Sequence, residues 1–152
     1  MNLMELRKEL YPLPVSQSLV DELTTIARAI VSSGDARERN ELIERFNTRT
    51  NSDNSFEDFH CAEEGEGLEN FVLRRLNGRP PKIDNISDAE FIEIISRLCS
   101  GTVPQSLEAY WIELLEINLG NPHVIDIIYG GDGNATAAEK LARMKSYRPY
   151  YL

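Results

Sequence analysis

Two histidines and two cysteines carry the side chains best suited to metal binding or nucleophilic chemistry, and their placement suits neither. His60 and Cys61 are neighbours, while Cys99 and His123 lie apart from them and from each other. Zinc sites recruit Cys and His as closely spaced pairs, and no such pair exists here. There is no G-x-S-x-G turn to expose a nucleophilic serine and no P-loop to cradle phosphate. The glycines of YGGDGN follow no strand, so they read as a loop. A D-x-D-x-D-G calcium loop is missing too. Carboxylates abound, at 25 Asp and Glu, but no pair stands out as an acid–base couple. The expectation is a chain with no catalytic residue, no metal ligand and no cofactor. Binding is the chemistry left.

The charge says what could be bound. The 152 residues hold 25 acids and 16 bases, a net charge of −9, with 41% apolar composition. That is enough apolar content for a packed core. A nucleic-acid binder needs a basic face, which this balance argues against. Two cysteines make no disulfide framework and are expected as free thiols in a reducing compartment, the bacterial cytoplasm. No apolar run reaches the roughly 18 residues of a membrane span, so no membrane partner is expected. The opening MNLMELRKEL lacks the apolar region of a secretory signal. Its Leu3, Leu6 and Leu10 recur at helical spacing and predict a short amphipathic helix.

The acids are unevenly placed. From Leu98 to Glu139 there is no Lys or Arg, whereas Glu108, Glu113, Glu116, Asp126, Asp132 and Glu139 all fall there. A one-sign segment of this kind steers a basic partner. Within SLEAYWIELLEIN, the residues Leu107, Trp111, Leu114, Leu115 and Asn118 share a core-facing stripe. Glu108, Ile112 and Glu116, four apart, share the next one. An apolar centre with charged flanks suits an interface; a core edge with solvated acids fits the same pattern.

The elements that must position these residues are helices. Strand-like alternation is absent beyond a few residues. Leu19, Leu23, Ile26 and Ile30 define a helix opened at Ser18 and closed by Ser32, Ser33 and Gly34. A second runs from Ala36 to Thr48, with Leu42, Ile43 and Phe46 as its seam. The polar NTRTNSDNS is expected to leave the helix. FEDFH is expected as one helical turn, EEGEG as a loop, and LENFVLRRL as a helix stopped by Gly78 and Pro80. The order then repeats. Ser87 and Glu90 form a capping box ahead of Phe91, Ile94, Ile95 and Leu98. SLEAYWIELLEIN, the short VIDIIY and the helix in ATAAEKLARMKSY follow.

Laying each residue on the one 69 positions later gives nine identities without a gap, among them Ile26 on Ile95, Ile43 on Ile112 and Arg74 on Arg143. Helix starts and stops coincide as well. This predicts an internal duplication, with a first helical repeat at 1–80 that includes an extra N-terminal helix, and a second at 81–152. The joint PPKIDN, with two prolines, predicts a stiff connection. The fold class expected is all-α: two tandem four-helix bundles, each with a very short third helix.

ISDAEFIEIISRLCSG, SLEAYWIELLEIN and NPHVIDIIYGG, followed by a final helix, resemble the nuclease-bacteriocin immunity proteins of the colicin E and pyocin S group. That family is a four-helix bundle with a very short third helix and a signature of the type H-P-x-x-S-D-L-I-Y-Y-P. Pro122, Asp126, Ile128 and Tyr129 match it, with Ile127 close to its Leu. The resemblance spans roughly residues 84–148; the first half resembles the family more faintly, with FEDFHC in the place of the signature. It implies a protein that binds a cognate toxin, a basic nuclease domain, and covers a surface beside its active cleft. In the family the second helix sets specificity and the third supplies the anchor. Carried over, the partner-binding positions are Gln105, Glu108, Ala109, Ile112, Glu113 and Glu116, with Asp126 and Tyr129 as anchors.

The sequence departs from the signature in three ways. The second aromatic is Gly130, the serine before the aspartate is Ile125, and the first half has His60 and Cys61 at the aromatic positions. The doubled length is unusual as well. Two other readings are an acidic mimic of nucleic acid and a helical adaptor docking through the C-terminal RPYYL.

Overall fold

The computed structural model describes residues 4–131 and 133–149. Among these, every regular element is helical. A 3₁₀ turn at Lys8–Leu10 precedes α1 (Gln17–Ser32), α2 (Ala36–Thr50), α3 (Phe56–Glu64) and α4 (Leu68–Asn77). Then come α5 (Asp88–Ser100), α6 (Gln105–Leu119), α7 (Val124–Tyr129) and α8 (Ala137–Lys145). No helix among the described residues is long and apolar enough to cross a membrane. Asp132 and the Tyr150, Tyr151 and Leu152 of the C-terminal RPYYL lie outside the described residues, as does Leu3.

The chain divides into two compact units, Leu13–Gly78 and residues 1–12 with 79–152. The expected boundary at 80 therefore needs correction at its N-terminal end. Leu6 and Leu10 belong to the core of the C-terminal unit, not to the first repeat. The expected amphipathic helix is also reduced, within the described residues, to a single 3₁₀ turn.

In the N-terminal unit, α1 packs against α2, α3 and α4. Ser16, not Ser18, caps α1, its hydroxyl accepting from the Leu19 N–H at 3.2 Å. Leu23, Ile26 and Ile30 are buried, as the spacing predicts, whereas Leu19 is only half-buried and Ala27 joins the buried face. Phe46, Phe59 and Phe71, from three different helices, pack ring on ring at 4.9–6.0 Å between centroids. Two expectations are corrected here. α3 has 9 residues rather than one turn and takes in Glu63 and Glu64. Only part of NTRTNSDNS leaves the helix, because α2 continues to Thr50, and Asn51 caps it in the left-handed region at φ 51°. The rest folds back on the helix: buried Asn54 donates its backbone N–H and its side chain to Asn47 Oδ1, at 3.0 and 2.8 Å. Asn54 Oδ1 in turn accepts from Arg75 Nε at 2.8 Å. Polar residues build this turn by satisfying one another, which hydrophobic periodicity cannot register.

In the C-terminal unit, α5 packs against α6, α7 and α8, and α7 also touches α6 and α8. The capping box is present: Ser87 Oγ accepts from Glu90 N–H at 3.1 Å, and Glu90 accepts from Ser87 N–H at 3.0 Å. Trp111 is the largest buried side chain. Its indole N–H donates to the Leu10 carbonyl at 2.8 Å, and Tyr11 packs on its ring at 5.5 Å. Arg7 holds Glu90 at 2.7 and 3.2 Å, and Arg97 reaches the Tyr11 hydroxyl and the Met4 carbonyl. The N-terminal strap is thus fixed by apolar burial, one indole bond, the Arg7–Glu90 ion pair and the two hydrogen bonds from Arg97.

Candidate functional site

The site expected from the sequence lies on α6 and α7. α7 has only 6 residues, so its position is set from outside. Val124 and Ile128, four apart, are buried and hold one face to the core. Buried Asn121 fixes the entry. It accepts from the His123 N–H at 2.7 Å and donates to the Met144 carbonyl at 3.1 Å. At the exit, buried Lys140 donates to the Ile128 carbonyl at 2.7 Å, placing a cation where the helix dipole is negative.

One residue on from each buried position, Ile125 and Tyr129 face outward, each 52% exposed. They are the two apolar side chains on the free side of α7. The Tyr129 hydroxyl donates to Glu108 Oε2, in the first turn of α6, at 2.8 Å. Burial of part of the ring, then the bond to Glu108, raises the phenol's pKa, so it stays protonated as a donor. Asp126 is exposed on the same short helix.

The other expected positions divide. Gln105 is exposed at the start of α6, and Ala109 is half-buried. Ile112 is half-buried and packed against the core, so it is a core edge rather than the apolar centre of a free stripe. Glu113 pairs with Arg79 at 3.3 Å. The Glu116 carboxyl is half-buried, and its pKa is raised by that burial and by the charge of Glu113. Tyr110, unassigned by the sequence pattern, is buried beside Trp111, Leu114 and Leu115. α6 is therefore apolar around most of its girth, and its expected split into a core stripe and an interface stripe blurs.

The base-free segment of the sequence is not base-free in space. Lys140, the first base after it, reaches the end of α7, and Arg79, from farther back in the chain, reaches Glu113. Glu113 is therefore paired, whereas Asp126 is exposed on α7 and Glu108 is tied to Tyr129.

Gly130 explains itself. A Cβ there would stand 2.5 Å from the Asp126 carbonyl oxygen, to which the Gly130 N–H already donates at 2.9 Å. No side chain fits on this backbone path, so the place of a second aromatic is closed. Ile125 supplies apolar surface on the same helix instead. The sequence marked Ile125 only as a departure from a signature; the signal available was its offset of one from buried Val124.

Among the described residues no group of three His, Cys, Asp or Glu side chains is placed to hold a metal ion. Both cysteines are free and exposed. No protein-family model, curated protein or solved structure matches the chain significantly.

Proposed function

We infer that this chain is an immunity-type inhibitor, a binding protein that neutralises a toxin with a basic nuclease domain. The observation that carries the reading is the exposed Tyr129, its hydroxyl tethered to Glu108, beside the exposed Ile125. An aromatic ring held in one orientation loses little entropy on binding, and aromatic anchors dominate interface energetics. Glu108, to which the ring is tied, and Asp126 on the same short helix give the site a sign complementary to a surface that handles nucleic acid. The protein acts by occlusion, not by catalysis.

The tandem arrangement belongs to the same reading. Shifted by 69, the bounds of α2 fall on those of α6 at both ends, and the start of α4 falls on that of α8. Buried Phe46, Phe59 and Val72 fall on buried Leu115, Ile128 and Leu141. The first helices correspond instead at 68, with Leu23, Ile26, Ala27 and Ile30 on Phe91, Ile94, Ile95 and Leu98, all buried. A one-residue slip between α1 and α2 separates the copies. The nucleic-acid mimic is less well supported, since acids of the N-terminal unit are engaged by its own arginines, Glu22 by Arg49 and Glu66 by Arg74.

The test is co-expression with the reading frame that neighbours this gene. A toxic, basic C-terminal domain that co-purifies with the chain, and is silenced by it, is the expected result. A neighbour that neither binds this chain nor is detoxified by it overturns the reading.

A further inference from the structure

Behind the Tyr129 face lies a pair of reactive groups that the binding reading does not use. Cys99, in the last turn of α5, is exposed. Lys140, in the first half of α8, is buried at 8% exposure, yet its amine points at Cys99 with Nζ 3.3 Å from Sγ. The amine is immobilised by its bond to the Ile128 carbonyl at 2.7 Å. An accessible sulfur thus faces a fixed nitrogen at a distance typical of near-attack geometry, about 3–3.5 Å.

We propose that Cys99 and Lys140 form an oxidative modification site, in which a peroxide couples the two side chains through a sulfur–nitrogen bond. In the first step hydrogen peroxide takes two electrons from the thiol, giving the sulfenic acid and one water. Lys140 then releases one proton to solvent. Its nitrogen lone pair attacks the sulfenyl sulfur and the S–O bond breaks. The departing hydroxide takes a second proton from nitrogen and leaves as water. The product is Cys–S–NH–Lys, lighter than the reduced chain by two hydrogens. The remaining N–H can still donate to the Ile128 carbonyl, but the positive charge is gone.

The consequence falls on the face described above. Lys140 is the cation at the end of α7, bonded to the carbonyl of Ile128, the residue before Tyr129. Coupling removes that cation and ties α5 to α8 at the Ile128 carbonyl, one residue before the anchor. The linkage itself does not depend on the toxin-binding reading.

Cys61 is the internal control. It is also exposed, but it faces Glu57 at 3.6 Å, and that carboxylate pushes its thiol pKa up.

The experiment is treatment of the folded, full chain with hydrogen peroxide, followed by intact-mass measurement and peptide mapping without reductant. The expected result is a species lighter by two hydrogens, with trypsin no longer cutting after Lys140 and the Cys99 peptide joined to the Lys140 peptide. Dithiothreitol should reverse it, and Cys99→Ser and Lys140→Arg should both abolish it. The parent's map decides the matter even if Lys140→Arg fails to fold. Accumulation of sulfinic acid at Cys99 with cleavage at Lys140 intact overturns the proposal, as does coupling of either side chain elsewhere.

Discussion

The Tyr129 hydroxyl donates to Glu108 Oε2 at 2.8 Å and so ties the end of α7 to the first turn of α6. The bond orients a ring that remains half in solvent, and ring and bond can be tested separately. Tyr129→Ala should weaken toxin binding by about 2 kcal/mol or more, as anchors of this kind do. Tyr129→Phe keeps the ring and frees it, and should lose less. Isothermal titration with the purified toxin domain measures both. Equal affinity for the parent and Tyr129→Ala would remove this face from consideration.

Ile125 and Ile112 make a contrasting pair. Ile125 is exposed on α7, whereas Ile112 packs against the core. Ile125→Ala should lower affinity and leave the denaturation midpoint in place. Ile112→Ala should do the reverse, costing about 1–2 kcal/mol of stability, below the range for fully buried positions. Urea titrations alongside binding isotherms separate the two.

Acid should loosen the N-terminal strap. The hydrogen bond from Arg7, followed by that from the Ser87 N–H, holds the Glu90 carboxyl below its ordinary pKa. A depressed folded-state pKa adds stability that is present above the unfolded value, about 4.3, and is lost as pH falls through the folded one. The urea midpoint of the C-terminal unit should therefore drop between roughly pH 5 and pH 3. In Glu90→Gln that drop should be shallower; an unchanged pH profile would mean that the pair contributes nothing.

Gly130→Ala should destabilise the C-terminal unit by about 1–3 kcal/mol, the usual range for overpacking, because the new carbon meets a backbone oxygen that cannot step aside. Gly133→Ala is the control: a Cβ there meets nothing within 4 Å. Thermal melts that rank the two alike would show that the α7 exit is looser than its geometry.

Leu10→Ala should cost about 2–5 kcal/mol, as for other fully buried leucines. Trp111, the chain's single tryptophan, sits against the Leu10 carbonyl and Tyr11, so its emission reports on this unit. The variant's red-shift on urea addition should come at lower denaturant than the parent's. A coincident transition would mean that the strap is not integral to the core.

Much of the helical plan was legible because it rests on periodicity and caps. Leu23, Ile26 and Ile30, and Phe91, Ile94, Ile95 and Leu98, are buried as their spacing demands. What escaped depends on contacts far apart in sequence. Arg7 meets Glu90 across 83 positions and Trp111 meets Leu10 across 101, and no local pattern encodes either. The candidate site was legible in part for the same reason. Tyr129 stood out by its type, whereas the engagement of Glu113 by Arg79 and the replacement of Ile112 by Ile125 as exposed apolar surface needed the folded neighbours.

The strap also dictates a timetable. Leu6 and Leu10 leave the ribosome before α1, yet the core they join includes Phe91, Trp111 and Met144, which are synthesised much later. Residues 13–78 can collapse on their own core meanwhile, while the opening segment waits without its partners. A gene cut between residues 78 and 79 would hand the C-terminal fragment an unfilled core and strand the piece meant for it on the other fragment.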